Sequence, residues 1–188
     1  MGIPDWLQKE VNDYFFKPLN VNPTTVLDIG ANIGAFALRA HIEWPAARVI
    51  CYEPMPFNIE ALLGNVSAAW CQVEPFAVRA QAGDADIYIG DMFVTGGFKR
   101  WGRQTEKTIR VPCVAANAIP SCDLVKIDTE GCEVEILSGL ELSRTQAILL
   151  EYHSRADAKT IMRMLTPQFT VMHKSGREIG TIILERAT

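Results

Sequence analysis

A glycine-containing turn between a predicted strand and a predicted helix is the segment best suited to cofactor binding. Residues 28–34 read Asp-Ile-Gly-Ala-Asn-Ile-Gly and join an apolar strand at 25–29 to a helix at 35–43. Glycine lets a ligand approach the backbone closely, and the helix N-terminus then points at that ligand. Glu53 ends the next predicted strand, where its carboxylate can accept hydrogen bonds from both hydroxyls of a ribose. Together these features predict a site for an adenosine-containing cofactor.

The charge and spacing of the turn favour S-adenosylmethionine over NAD. In the dinucleotide motif GxGxxG the turn carries three glycines, but here Asn32 takes the place of the second, and Gly34 comes one residue early for the third. Asp28 also puts a negative charge beside the turn, which repels a pyrophosphate and suits a cationic sulfonium or ammonium group. An NAD-dependent oxidoreductase remains the first alternative. A tight turn that a capping asparagine stabilises without any ligand is the structural alternative.

The ends of two later strands carry the residues that could act on a methyl acceptor. Methyl transfer requires the acceptor oxygen to be held in line with the methyl group and to lose its proton. Asp128 and Glu130 follow one predicted strand, and Glu151 and His153 end the next. We expect His153 to be the general base, because the ordinary pKa of histidine is near neutral, and Asp128 to position the acceptor or the cofactor's ammonium group. Buried Lys126 needs a carboxylate partner, for which we expect Glu151.

Each of these assignments has an alternative. His153 could be a surface histidine beyond a strand end, and Asp128 could cap a helix. Glu130 lies where a helix begins, and carboxylates are favoured there without any catalytic role. Asp128, Glu130 and His153 could instead hold a divalent cation that acidifies the acceptor hydroxyl, but no tight ligand spacing supports this, so we expect no metal. A non-catalytic module that binds S-adenosylmethionine would lose no rate when His153 or Asp128 is changed.

Two further segments could contact ligands. Phe76 and Ala77 follow the third predicted strand and could flank an adenine, although an aromatic residue there could equally belong to the core. A basic and aromatic stretch could recognise an anionic acceptor such as a phosphorylated sugar, but a solvated loop is the favoured interpretation. That stretch contains Lys99, Arg100, Trp101, Arg103, Lys107 and Arg110. An apolar lid over the acceptor could come from Met92, Phe93 and Phe98.

The elements that position these residues alternate between strand and helix. This pattern predicts an α/β fold, a doubly wound and mostly parallel sheet with helices on both faces and an antiparallel C-terminal strand pair. Ligands bind such sheets at the carboxyl ends of the strands. We expect one domain over 1–188. Its parts are a covering helix within 1–22, a cofactor half at 24–80, a loop at 91–107 and an acceptor half at 122–188.

Composition and charge exclude several classes of protein. The 188 residues are 48% hydrophobic and 21% charged, which excludes a disordered chain. The net charge of -4 does not favour binding to nucleic acid or to an anionic membrane. The five cysteines are odd in number and form no CxxC pair, so we expect buried thiols in a reducing compartment. No apolar run is long enough to span a membrane, and the N-terminus does not resemble a secretion signal, so we expect a cytoplasmic protein.

Four segments together resemble the FkbM-type S-adenosylmethionine-dependent methyltransferases. They are residues 26–38 (VLDIGANIGAFAL), 52–65 (YEPMPFNIEALLGN), 124–140 (LVKIDTEGCEVEILSGL) and 149–153 (LLEYH). The resemblance implies a class I sheet with strand order 3-2-1-4-5-7-6. It implies that the methionine part of the cofactor is bound by Asp28, Gly30, Asn32 and Gly34, and that Glu53 binds the ribose.

The resemblance also implies O-methylation of a hydroxyl on a small molecule, such as a sugar or a natural product. About two dozen residues precede the first predicted strand, so we expect a cap over the substrate to be small or to come from a second subunit of a homodimer.

Overall fold

The predicted alternation of strands and helices is present in the computed structural model, which describes residues 5–15, 18–89, 96–97 and 107–187. The strands are β1 (Thr25–Ile29), β2 (Arg48–Tyr52), β3 (Cys71–Glu74), β4 (Ala77–Arg79), β5 (Gly83–Ile89), β6 (Gly96–Gly97), β7 (Thr108–Ala115), β8 (Leu124–Ile127), β9 (Ala147–Tyr152), β10 (Phe169–Lys174) and β11 (Gly180–Arg186). The α-helices are α1 (Asp5–Tyr14), α2 (Ala35–Glu43), α3 (Pro56–Asn65), α4 (Glu133–Gly139) and α5 (Arg155–Leu165). A short 3-10 helix covers Ala116–Ala118.

Seven strands form the central sheet in the order β3-β2-β1-β8-β9-β11-β10. Strand β11 is antiparallel to both β9 and β10, and the other neighbours are parallel. Counted within this sheet alone, the order is 3-2-1-4-5-7-6, and the predicted α/β fold class is confirmed. The order changes direction between β1 and β8, so their carboxyl ends flank the crevice in which ligands bind in open α/β sheets.

A second, four-stranded sheet has the order β4-β7-β5-β6, and the sequence did not predict it. The third strand is predicted at 70–78 with an interruption at Pro75, and the structure has two strands there that lie in different sheets. Pro75 lies between them and has no N–H to continue a strand ladder. Within the loop predicted at 91–107, the described Gly96–Gly97 pairs with β5. The proposed lid and most of the basic stretch lie outside the described residues.

The core fills both faces of the central sheet because its inner strands alternate side chains between the faces. On one face, Leu27 and Ile127 pack with α4 and α5. On the other face, Val26 packs with α2 and with Val11 and Tyr14 of α1, so α1 covers the sheet as expected. All five cysteine side chains are buried and free of disulfides, which confirms the expected buried thiols. Among the described helices, none combines the length and the apolar character that crossing a bilayer requires.

Candidate active site

The turn after β1 is held in a left-handed backbone conformation that its sequence permits. Gly30, Asn32 and Gly34 have φ angles of 78°, 50° and 89°. The N–H of Gly30 donates to the carbonyl of Tyr52 at 2.9 Å, which ties the turn to the end of β2. A Cβ atom on Gly30 would lie 1.8 Å from the carbonyl oxygen of Asp128, so only glycine fits. The turn therefore lies directly against the tips of β2 and β8.

Glu53 lies at the end of β2 beside this turn, as predicted. Its carboxylate is 4% exposed and accepts hydrogen bonds from the N–H groups of Asn32 at 2.8 Å and Met55 at 2.9 Å, and from Nδ2 of Asn58 at 3.2 Å. Burial raises the pKa of Glu53, and these hydrogen bonds oppose the rise. A carboxylate has about four acceptor positions, so one remains for a ligand without rearrangement. A single ribose hydroxyl fits here more readily than the two that the sequence suggested.

Asn32 supplies a second acceptor at the same place. Its Oδ1 atom is buried and has no hydrogen-bond partner among the described residues. A buried carbonyl oxygen of this kind is stabilised by a donor such as an ammonium or hydroxyl group of a ligand. The residues present therefore fit a cofactor that carries hydrogen-bond donors, as S-adenosylmethionine does. Asn32 could be found from sequence only through its place in the turn.

Asp28 is fully buried behind the turn and pairs with Lys126. The two residues are register partners in β1 and β8, and Nζ of Lys126 lies 3.1 Å from Oδ1 of Asp28. The same ammonium group donates to the carbonyl oxygen of Gly30 at 2.7 Å. Burial raises the pKa of Asp28, and the positive charge of Lys126 opposes the rise. Asp28 therefore supports the turn from behind, through the lysine that also bonds the Gly30 carbonyl.

The prediction that Lys126 pairs with Glu151 is corrected by this arrangement, because the close ion pair is the one with Asp28. The carboxylate of Asp128 is a second neighbour of Lys126, at 3.9 Å. The predicted strand order already placed β1 beside β8. A carboxylate at the matching register position in β1 was therefore the better candidate.

His153 is held between two carboxylates. Its Nδ1 lies 3.1 Å from Oε1 of Glu133, and its Nε2 lies 3.3 Å from Oε2 of Glu130. Burial alone would lower the pKa of His153, but hydrogen bonds to these two carboxylates and the charges of Glu133 and Asp128 raise it from 6.5 to about 11. The expectation that His153 keeps a near-neutral pKa is therefore wrong, and the imidazole is a cation at pH 7.

Glu133 organises the loop between β8 and α4, a role that the sequence analysis missed. Its fully buried Oε1 accepts hydrogen bonds from the N–H groups of Thr129 at 3.2 Å and Gly131 at 2.9 Å, besides the contact with His153. Glu130 adopts a left-handed φ of 56° between these residues, which is uncommon outside glycine. Carboxylates are common in the first turn of a helix, so Glu133 carried a signal, but its histidine partner depends on the tertiary fold.

Tyr14 is a second missed residue, and no sequence signal points to it. The hydroxyl of Tyr14 donates to Oδ2 of Asp128 at 3.3 Å, so the covering helix α1 contributes directly to the acceptor side. The rings of Tyr14 in α1 and Phe36 in α2 pack edge to face with their centroids 5.8 Å apart, and this contact holds the tyrosine against α2.

All four predicted catalytic residues meet at the carboxyl edge of the sheet. Ligand atoms of Asp128, Glu151 and His153 all lie within 4.8 Å of one another, and Glu130 contacts the same imidazole. Burial raises the pKa of Asp128, and the charges of Lys126 and His153 oppose the rise. Two carboxylates and an imidazole in this geometry can position a hydroxyl group. They can also converge on a divalent cation, in a set that has Glu151 where the sequence suggested Glu130.

Phe76 and Ala77 are placed differently from each other. Phe76 is partly buried and packs against the core, two residues beyond Glu74, whose carbonyl accepts from the N–H of Glu53 at 3.2 Å. Phe76 is therefore near the predicted ribose site. Ala77 is 3% exposed within β4 of the second sheet. Their contact with an adenine stays a prediction.

The described part of the basic stretch consists of Lys107 and Arg110. Both are exposed. Arg110 lies 3.7 Å from the carboxylate of Asp84 and 3.9 Å from that of Asp86, across the exposed surface of the second sheet. Exposed pairs of this kind contribute little energy, which agrees with the solvated interpretation of these two residues.

Comparison with known proteins decides the family. The family model for the methyltransferase FkbM domain matches residues 28–174, which include the glycine turn and all four predicted catalytic residues. The chain belongs to the FkbM methyltransferase family. This assignment confirms the resemblance found in the sequence, and it places the chain among methyltransferases rather than nicotinamide oxidoreductases.

Two relatives of the chain carry names that state an activity. The hexuronic acid methyltransferase AglP of Haloferax volcanii is 29% identical over 146 residues, covering 74% of this chain and 60% of the relative. The 31-O-demethyl-FK506 methyltransferase FkbM of Streptomyces tacrolimicus is 27% identical over 168 residues, covering 68% of this chain and 65% of the relative. The chain thus spans less than two thirds of the length of each of these relatives.

Solved structures support the fold. An FkbM methyltransferase from Methylobacillus flagellatus matches with a TM-score of 0.65 and 14% identity, over 88% of this chain and 44% of that chain. The ribosomal protein L11 methylase of Lactobacillus delbrueckii matches with a TM-score of 0.57 and 12% identity, over 98% of this chain and 81% of that chain. At these identities the matches show a shared Rossmann-like methyltransferase architecture.

Proposed function

We propose that this chain transfers a methyl group from S-adenosylmethionine to a hydroxyl group of a small molecule, such as a sugar or a natural product. The observation that carries the proposal is the pair of buried acceptors, Asn32 Oδ1 and the carboxylate of Glu53, beside a left-handed turn at the sheet's switch point. The two relatives, named as methyltransferases of a hexuronic acid and of 31-O-demethyl-FK506, support a hydroxylated acceptor.

On the cofactor side, this chain's residues bind and orient. Glu53 accepts a ribose hydroxyl at its remaining acceptor position, and Asn32 Oδ1 accepts from the ammonium group of the methionine part. The buried negative charge of Asp28, shared with Lys126, keeps the surroundings of the turn suited to a cation. When bound, S-adenosylmethionine supplies an electrophilic methyl carbon.

On the acceptor side, Asp128 takes the proton. Its carboxylate is 15% exposed and its pKa is raised by burial, so it is both reachable and more basic than an ordinary aspartate. His153 is already protonated between Glu130 and Glu133, so it donates hydrogen bonds and does not accept the acceptor's proton. Glu151 completes the cluster and orients the hydroxyl. The role of general base thereby moves from His153 to Asp128.

Calorimetry with S-adenosylmethionine tests the cofactor assignment. Glu53→Gln removes a charged acceptor and should weaken binding by about 2 kcal/mol, roughly thirtyfold. The matched control is Glu60→Gln, at an exposed position on α3, which should bind like the unmodified chain. Equal affinity in the Glu53 variant would remove the ribose assignment, and tight binding of NAD in place of S-adenosylmethionine would overturn the proposed function.

A methyl-transfer assay with mass detection tests the reaction. Sugars, sugar acids and phenols are the acceptors, and Asp128→Asn should lower turnover with little change in cofactor affinity. Assays with added Mn²⁺ and with EDTA separate the two routes to proton loss. Full activity in EDTA supports Asp128 as the base, whereas activity that requires Mn²⁺ assigns Asp128, Glu151 and His153 to a metal site.

A further inference from the structure

A groove lined by basic residues lies between α5 and the β10–β11 hairpin. It has a volume of about 580 Å³, which is in the range of small-molecule sites. Its charged lining comes from Arg155 and Lys159 of α5 and from Lys174 and Arg177 of the hairpin, with Ala158 and Met162 as apolar lining. We infer that this basic groove binds a carboxylate or phosphate group of the methyl acceptor. The inference rests on the proposed function and adds the charge class of its substrate.

The groove opens at the edge of the sheet that carries the acceptor side. Helix α5 begins two residues after His153, and the hairpin lies at the carboxyl end of β9, because Gly180 pairs with Tyr152. The Tyr152 hydroxyl contacts the carbonyl oxygens of Ser175 at 2.6 Å and Gly176 at 2.9 Å. These hydrogen bonds fix the hairpin to β9, the strand that carries Glu151 and is followed directly by His153.

Lys174 is pre-positioned within the groove. Its Nζ donates to the Tyr152 hydroxyl at 2.9 Å and lies 4.7 Å from the centre of the tyrosine ring. A lysine held by a hydrogen bond and a cation–π contact loses less side-chain freedom when it binds an anion than a fully mobile one.

Positive charge is concentrated here although the chain as a whole is acidic. Four cations line one groove in a chain whose net charge is -4. The nearby carboxylates neutralise them only weakly. Glu178 lies 3.9 Å from Nε of Arg155 with both side chains about 70% exposed, and Asp157 is bonded to the Ser154 hydroxyl in the cap of α5. An anion would relieve the repulsion among the four cations, and this relief selects for a negatively charged ligand.

The distance from groove to catalytic cluster suggests the size of the acceptor. Strand β10 lies two positions beyond β9 in the sheet, and neighbouring strands are about 4.8 Å apart. The backbones of β9 and β10 are therefore about 10 Å apart in the plane of the sheet. A compact anion such as a sugar acid or a sugar phosphate, reaching from the groove over the end of β9, is the class of acceptor that this arrangement favours over a long polyanion.

The test compares three probes that share a sugar ring: glucuronate, glucose 1-phosphate and glucose. Affinities are measured by calorimetry for the unmodified chain, for Lys159→Gln/Arg177→Gln, and for Arg163→Gln/Lys107→Gln. The third protein loses two exposed cations outside the groove. We expect both anionic sugars to bind the unmodified chain and the control more tightly than glucose. In the groove variant, the ratio of the affinity for the anionic sugars to the affinity for glucose should fall roughly tenfold.

Equal binding of all three sugars, or an unchanged preference in the groove variant, would overturn the inference. Binding of a labelled tRNA that competes with glucose 1-phosphate and depends on Lys159 and Arg177 would overturn the small-molecule assignment in favour of RNA. Melting curves of the three proteins show whether they are equally folded. If one variant is destabilised, the salt dependence of the unmodified chain decides, since the preference for anionic sugars should fall as salt rises.

Binding of S-adenosylmethionine is measured on the same proteins, because the groove variants leave the turn and Glu53 intact. Normal cofactor binding without anion preference would reject the groove and leave the proposed function in place. Anion preference without cofactor binding would reject the proposed function and leave the groove as an anion site.

Discussion

Nδ1 of His153 lies 3.1 Å from Oε1 of Glu133, and this contact joins the end of β9 to the start of α4. Because Glu133 also accepts from the N–H groups of Thr129 and Gly131, one buried carboxylate holds both the loop and the histidine. The contact turns a residue that sequence reasoning treats as a base into a fixed positive charge.

The charge of His153 should make stability depend on alkaline pH. Its folded pKa of about 11 lies above the ordinary 6.5, so the protonated imidazole contributes its full stabilisation below about pH 6.5. That contribution declines at higher pH and is lost as the pH passes about 11. NMR titration of the imidazole should show protonation well above pH 7.

Glu133→Gln should lower the pKa of His153 and remove part of this pH dependence, whereas Glu60→Gln should change neither. A His153 resonance that titrates near pH 6.5 in the unmodified chain would contradict the paired geometry.

Lys126 and Asp28 should behave as an energetic unit. Lys126→Met leaves the carboxylate of Asp28 buried without its close cation and should lower the free energy of unfolding by about 3 kcal/mol. The double variant Asp28→Asn/Lys126→Met should recover much of this loss, since both charges are then removed. Urea denaturation of the single and double variants measures the coupling. Additive losses would show that the two residues do not stabilise each other.

Gly30 should tolerate no side chain. Gly30→Ala places a Cβ atom 1.8 Å from the carbonyl oxygen of Asp128 at a φ of 78°, so we expect a loss of about 2 kcal/mol or more. We expect much weaker binding of S-adenosylmethionine as well. The matched control is Gly64→Ala in α3, where a Cβ atom meets no atom of the described residues within 4 Å. That change should stabilise the chain by up to about 1 kcal/mol. Similar melting temperatures for the two variants would contradict the close approach.

Local patterns predicted the central sheet and the general location of the site. The glycine turn, the carboxylate at the end of β2 and the polar ends of β8 and β9 follow from strand and helix signals that lie within a few residues of one another. The interruption of the third predicted strand at Pro75 follows from the sequence, but the move of its second half into another sheet does not, because pairing with β7 depends on residues far along the chain.

The hydrogen-bond and ion-pair partners of the site residues, and their pKa values, were harder to predict from the sequence. The pKa of His153 depends on Glu130 and Glu133, which lie 20 or more residues away in sequence and reach the imidazole only through the backbone geometry of one loop. Tyr14 reaches Asp128 from 114 residues away. Burial and opposing charges decide such energies, and neither can be calculated before the chain is folded.

The close approach of Gly30 to Asp128 has a consequence for protein engineering. The glycine turn meets the tip of β8 through main-chain atoms, so side-chain substitutions in the β10–β11 hairpin and at the start of α5 leave this contact unaltered. Those two segments are therefore the places at which the chain can be redesigned without disturbing the turn.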